Sequence, residues 1–143
     1  MIRSVLIVDD EPSDRLVASR VMRKLVPDIA ILEFANGADA FGFVRDRREV
    51  KARCGPFPPP TLVLMDINMP IMGGFEFLER LEGLIAAGDV HGSWFTVSMF
   101  TSSSNPRDRE KAASIPCVRD FIVKPLTETS FGTLLEKHFP GQS

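Results

Sequence analysis

The chain has 143 residues with a formal net charge of −2, and 44% of its residues are hydrophobic. This length suits one domain with a proper core, and the 25% charged content is ordinary for a globular protein. A net charge so close to zero gives no general reason to bind nucleic acid, and no apolar stretch is long enough to span a bilayer.

The N-terminus leads directly into an apolar strand pattern, without the layout of a signal peptide. The two cysteines, Cys54 and Cys117, form no metal or redox motif. We interpret them as one loop thiol and one semi-buried thiol in a reducing compartment. We therefore expect a cytoplasmic protein that binds neither nucleic acid nor a membrane.

Short apolar runs alternate with helical patterns along the chain, which predicts a parallel β-sheet with helices on both faces. The predicted strands are residues 3–8, 29–34, 61–65, 95–100 and 118–123. The first helix begins at Pro12, and a repeat of Val17, Val21 and Leu25 predicts its buried stripe. The later helices are predicted to begin near Asn36, Gly74, Asn105 and Thr127.

Two segments fit this alternation less well. The charged segment 45–53 is interpreted as a solvated helix end, because its five basic residues are interspersed with Asp46 and Glu49. The proline-rich segment 55–60 is predicted to be an extended connector, since proline fits neither a helix interior nor a sheet ladder.

Polar residues stand where four of the apolar runs end. Asp9 and Asp10 follow the first run, Asp66 the third, and Lys124 the fifth, while Thr101 closes the fourth. Because the carboxyl ends of parallel strands open on one edge of the sheet, we expect these side chains to lie in one pocket.

Adjacent carboxylates raise each other's pKa unless a positive charge neutralises them. A hard divalent cation such as Mg²⁺ prefers a few such oxygens together with phosphate oxygens. The alternative is a solvated acidic loop, which is common for a single pair of aspartates. The matching positions of Asp66 and Lys124 at other strand ends favour a site for a metal and a phosphoryl group.

Four motifs in this order resemble the receiver domain of two-component response regulators: Val8–Pro12, Leu64–Gly74, Phe100–Ser102 and Val123–Pro125. The resemblance covers essentially the whole chain. It implies an α/β fold of the flavodoxin-like type, a three-layer, doubly wound (βα)5 parallel sheet with strand order 2-1-3-4-5. It also implies one receiver domain spanning residues 1–143.

The resemblance also implies a role for each polar residue. Asp66 is the expected phosphoacceptor, with Thr101 and Lys124 as the other catalytic residues that contact the phosphoryl group. The expected Mg²⁺ ligands are Asp10 and Asp66 directly, Asp9 through water, and Asn68 through its backbone carbonyl. The expected phosphodonor is a sensor histidine kinase or a phosphotransfer protein.

Few residues follow the last predicted helix, so we expect a stand-alone receiver without an output domain. Its output is then binding rather than catalysis on a separate substrate. The hypothesis is that phosphorylation draws Thr101 toward Asp66 and that Phe121 fills the space released. The face formed by the fourth predicted helix, the fifth strand and the fifth helix would then bind a protein partner or a second copy, as in a homodimer.

Two other classes remain open on the sequence. An aspartyl-phosphate hydrolase of the haloacid dehalogenase type also places a nucleophilic aspartate at a strand end, but it needs an acid at position 68, where this chain has Asn68. A scaffold that works without phosphorylation would bind its partner equally well after Asp66→Ala.

Overall fold

The computed structural model describes residues 2–55, 61–102 and 105–141. Within them the chain forms one five-stranded parallel sheet in the order β2-β1-β3-β4-β5. The strands are β1 (Ser4–Val8), β2 (Ala30–Phe34), β3 (Thr61–Met65), β4 (Phe95–Thr101) and β5 (Val118–Val123). The predicted fold class and strand order are confirmed. The predicted connector lies outside the described residues except for Gly55.

Six helices occur in the described part of the chain, one more than the sequence pattern predicted. They are α1 (Pro12–Leu25), α2 (Gly37–Val44), α3 (Arg47–Arg53), α4 (Gly74–Ala86), α5 (Pro106–Ala113) and α6 (Glu128–His138). None of the described helices is long and apolar enough to cross a bilayer. The fourth and fifth helices of the sequence prediction are therefore α5 and α6.

The extra helix, α3, corrects the interpretation of segment 45–53 as a solvated helix end. The Asp46 side chain caps α3 by accepting hydrogen bonds from the N–H groups of Arg48 and Glu49. Val50 and Cys54 lie one turn apart and face the core, with both residues buried. These two small apolar residues anchor a helix whose remaining surface is charged.

Helix α1 buries a different stripe from the one predicted. Ala18 and Met22 are fully buried, whereas Val17 is 42% exposed and Val21 and Leu25 are only partly buried. Two neighbouring rows of this helix have the same four-residue spacing, so periodicity alone did not decide which row faces the sheet. Packing of α1 against β1 and α6 makes that choice.

The register of the strands brings the candidate site residues to one edge of the sheet. All five residues of β1 and all five of β3 are buried, and Val8 is in register with Met65. The Asp66 N–H continues this ladder by donating to the Val8 carbonyl at 2.9 Å. On the other side, Thr101 is in register with Val123. The next residues, Asp9, Asp66 and Lys124, therefore leave the sheet at one edge.

Gly73 and Gly74 stand at the start of α4, and Gly74 is required by space rather than by backbone freedom. Neither residue has a positive φ. A Cβ on Gly74 would overlap the carbonyl oxygen of Asp66, because the start of α4 packs directly on that peptide. The Gly74 N–H also donates to the Ile67 carbonyl at 2.9 Å. The glycine thus lets α4 begin immediately beside Asp66.

We expect Gly74→Ala to lower the free energy of unfolding by about 2 to 3 kcal/mol, because the added methyl overpacks the Asp66 backbone. Gly83→Ala is the matched control, since Gly83 lies in the same helix with open space around it. That control should raise the stability by about 0.5 to 1 kcal/mol through helix propensity. Urea unfolding measures both changes. Equal stabilities for the two variants would show that the Asp66 backbone moves away from the added methyl group at no cost.

Both cysteines are buried, which is more than the interpretation of one loop thiol and one semi-buried thiol implied. Burial raises the pKa of the Cys117 thiol to about 12, and the nearby Glu82 carboxylate adds to this effect. We therefore expect a thiol-specific reagent at about pH 8 to react with the folded protein only as fast as the protein unfolds. Both thiols should react rapidly in denaturant. Fast labelling of the native protein would contradict the burial.

Candidate functional site

Three aspartates gather at the carboxyl edge of the sheet, as their strand-end positions predicted. Asp9 is completely buried, Asp66 is 7% exposed, and Asp10 is partly exposed. One carboxylate oxygen from each lies within 4.8 Å of the others. Three negative charges at this separation repel one another strongly in a partly buried site, so the arrangement needs compensating positive charge.

Backbone N–H groups fix two of the carboxylates. Glu11 donates its N–H to Asp9 Oδ1 at 2.9 Å, and Ile67 donates its N–H to Asp66 Oδ1 at 2.8 Å. Arg15 holds the adjoining loop, because its Nη1 donates to the Asp9 carbonyl at 2.6 Å. The second oxygen of each carboxylate, Oδ2, lies beside the ammonium group of Lys124.

Lys124 is the nearest positive charge in this cluster. Its Nζ lies 2.6 Å from Asp9 Oδ2, 3.0 Å from Asp14 Oδ2 and 3.3 Å from Asp66 Oδ2. The contact with Asp9 Oδ2 is a charge contact without hydrogen-bond geometry. That oxygen is therefore the single buried side-chain oxygen or nitrogen in the described residues that lacks a hydrogen-bond partner.

The surroundings shift the pKa of both Asp66 and Lys124. Burial raises the pKa of Asp66, and the Asp9 carboxylate adds to this, while Lys124 and the Ile67 N–H oppose it without cancelling it. Burial alone would lower the pKa of Lys124, but the carboxylates of Asp9, Asp14 and Asp66 outweigh burial and raise it. Lys124 therefore stays charged at neutral pH.

The donor set suits a hard divalent cation such as Mg²⁺. It consists of carboxylate oxygens alone, and one of them is buried without a hydrogen bond. The acidic cluster of Asp9, Asp10 and Asp66 could therefore bind a metal ion.

The other predicted site residues lie on β4, on β5 and in the loop after β3. Thr101 ends β4 and is buried, and its carbonyl accepts the Lys124 N–H at 2.9 Å. Asn68 is exposed in the loop after Asp66. Phe121 lies in β5, partly buried, with the Arg109 guanidinium 4.7 Å from its ring centroid. The peptide bond between Lys124 and Pro125 is cis.

Sequence reasoning missed two residues of this site, Asp14 and Arg15. Both lie in the first turn of α1, directly after the Asp9–Asp10 pair. This position in a predicted helix was an available signal. Side chains in the first turn of a helix tilt back toward its N-terminus, which here is the end of the first strand. Their partners were not readable, since Lys124 is 110 residues from Asp14 in sequence.

A five-stranded parallel sheet in the order β2-β1-β3-β4-β5, with three acids and a lysine at its carboxyl edge, defines a flavodoxin-like α/β protein. The model of the response regulator receiver domain family matches residues 5–136. The chain belongs to this family, and it is a receiver domain of two-component signalling.

Individual relatives agree with this assignment. The chain is 32% identical to the two-component response regulator ORR41 of Oryza sativa subsp. japonica over 137 residues, which cover 96% of this chain and 94% of the relative. It is also similar to the crystal structure of a two-component response regulator from Cytophaga hutchinsonii, with a TM-score of 0.79, 26% identity and 96% coverage of both chains. A response regulator receiver protein from Dyadobacter fermentans gives a TM-score of 0.78 at 25% identity, covering 97% and 99%.

Proposed function

We propose that Asp66 accepts a phosphoryl group, in a Mg²⁺-dependent reaction, from the phosphohistidine of a sensor histidine kinase or a phosphotransfer protein. The phosphorylated receiver then signals by binding a protein partner in the cytoplasm. The observation that carries the proposal is the position of Asp66, which shares the Lys124 ammonium with Asp9 in a cluster of three converging acids. Membership in the receiver family supports it.

The chemical step uses Asp66 as the nucleophile. A carboxylate oxygen of Asp66 forms a bond to phosphorus while the bond from phosphorus to the donor imidazole nitrogen breaks, and the electron pair leaves with that nitrogen. The Ile67 N–H holds Asp66 Oδ1, and Lys124 lies beside Oδ2. These two contacts orient the carboxylate, and Lys124 is placed to neutralise charge on the transferred group.

The residues proposed to hold Mg²⁺ are Asp10 and Asp66 directly, Asp9 through water, and Asn68 through its backbone carbonyl. When bound, the ion supplies charge neutralisation for the oxygens of the phosphoryl group. The convergence of three carboxylates within 4.8 Å of one another, with Asp9 completely buried, is the feature of this chain that most favours a cation here. Thr101, at the end of β4, is proposed to donate its hydroxyl to a phosphoryl oxygen.

The output surface is proposed to be the face formed by α5, β5 and α6. Movement of Thr101 toward a phosphorylated Asp66 would release space for Phe121, whose ring now lies under Arg109. Phe121 borders an apolar groove of about 160 Å³ beside α5 and another of about 260 Å³ beside α6. A rearrangement of this aromatic ring would therefore change two neighbouring grooves together, for a partner protein or a second copy of the chain.

Incubation with a small acyl phosphate tests the proposal directly. With Mg²⁺ present, intact mass should rise by one phosphoryl group, and a chelator should prevent the change. Sedimentation of the same samples reports whether assembly changes. An unmodified mass under these conditions, and with a panel of phosphorylated histidine kinases, would rule the proposed function out.

A further inference from the structure

A fourth carboxylate, that of Asp14, takes part in the site without belonging to the metal cluster. Its Oδ2 accepts a hydrogen bond from Lys124 Nζ at 3.0 Å, which is shorter than the 3.3 Å contact from the same ammonium to Asp66. We propose that Asp14 is a positioning residue that holds Lys124 toward α1 and thereby slows phosphorylation of Asp66. This inference rests on the proposed function.

The geometry makes Asp14 a competitor for the ammonium group. Lys124 has a nearly buried side chain, and it is shared among three carboxylates on two sides of the pocket. Asp9 lies at the end of β1 and is completely buried, so its position is fixed. Asp14 lies on the first turn of α1 with its side chain 35% exposed. Of the three partners, Asp14 is therefore the one that solvent can replace at the lowest cost.

Phosphorylation increases the negative charge that Lys124 has to neutralise. An oxygen of Asp66 bonds to phosphorus of the acyl phosphate, and the carboxylate leaving group departs with the electron pair of the broken bond. The pocket then contains a phosphoryl group with more negative charge than the free carboxylate. The Asp14 charge opposes this change in two ways, since it draws Lys124 away from Asp66 and it repels the incoming anion.

Removing this charge should therefore accelerate the reaction. We expect Asp14→Asn to be phosphorylated about three- to tenfold faster than wild type by acetyl phosphate with saturating Mg²⁺ at low ionic strength. The difference should shrink as salt is added, because Asp14 is partly exposed and salt screens its charge. Asp14→Glu restores the charge and should return the rate toward that of wild type.

Asp28→Asn is the matched control. Asp28 is exposed on the turn after α1, so this variant changes the net charge by the same amount at a distance from the site. Its rate should equal that of wild type. The measurement is the initial rate of phosphorylation followed by intact mass at several salt concentrations, with a crystal structure of the Asp14→Asn variant as a second measurement.

The outcomes separate this inference from the proposed function. A faster, salt-sensitive reaction together with a Lys124–Asp66 contact shorter than 3.3 Å supports a restraining role for Asp14. A rate equal to or below that of the Asp28→Asn control, in a protein whose wild type is phosphorylated, overturns the role of Asp14 alone. An unreactive wild type overturns the proposed function, and the role of Asp14 fails with it.

Discussion

Asp66→Asn is expected to reduce phosphorylation by at least about a thousandfold, because the amide lacks the nucleophilic carboxylate oxygen while keeping the shape of the side chain. The fold should be retained, since the amide oxygen introduced by this substitution can still accept the N–H of Ile67 that holds Asp66 Oδ1 at 2.8 Å. Intact mass after incubation with acetyl phosphate and Mg²⁺ measures the loss. Reduction of the acyl phosphate with borohydride, followed by peptide mapping, identifies the modified residue in the wild type.

The control for this experiment is again Asp28→Asn, which removes one exposed carboxylate outside the site and should be phosphorylated normally. If Asp66→Asn gained a phosphoryl group at the wild-type rate, another residue would be the acceptor, and the assignment of Asp66 would be wrong. Retained partner binding by Asp66→Ala, unaffected by phosphodonor, would instead favour the scaffold alternative.

Lys124→Met should show the largest effect on stability among the site variants. It removes the ammonium that lies within 3.3 Å of three carboxylates and leaves the buried Asp9 charge unpaired. Breaking a buried ion pair in this way costs about 3 kcal/mol of unfolding free energy in the absence of a divalent cation. Added Mg²⁺ should restore part of this loss, because a cation in the acidic cluster replaces the missing charge.

The expected pH dependence follows from the raised pKa of Lys124. A lysine whose pKa is higher in the folded state stabilises the protein fully below its unfolded value, and this contribution is lost as the pH rises through the folded value. The stability difference between wild type and Lys124→Met should therefore be constant near neutral pH and begin to shrink above pH 10.5. Urea unfolding at a series of pH values measures this difference.

Lys24→Met provides the matched control for the loss of a lysine ion pair. Lys24 pairs with Glu128 at 3.2 Å, but its side chain is 69% exposed. Removing this exposed pair should change the stability by less than about 1 kcal/mol. Equal losses in the two lysine variants would show that the Lys124 cluster is no more than a surface ion pair.

Particular residues show which features of the fold and the site could be predicted from the sequence alone. The apolar runs and the caps at Asn36, Asn105 and Thr127 predicted the strands and five of the helices, and the structure confirms these caps. The acids at the ends of β1 and β3 were predicted to converge, and they do, because parallel pairing of neighbouring strands brings their carboxyl ends together. The roles of Asp66, Thr101, Lys124 and Phe121 stay predictions.

The sequence by itself determined the alternation of strands and helices, the family and the identity of the three acids, because these features depend on local pattern and on fixed spacing. Only the tertiary structure decided which row of α1 is buried, that segment 47–53 is a helix, and that Gly74 is needed for space. It also decided that Asp14 shares Lys124 with Asp9 and Asp66. Such choices depend on which surfaces meet and on how far side chains reach between elements distant in the chain, and no local pattern contains that information.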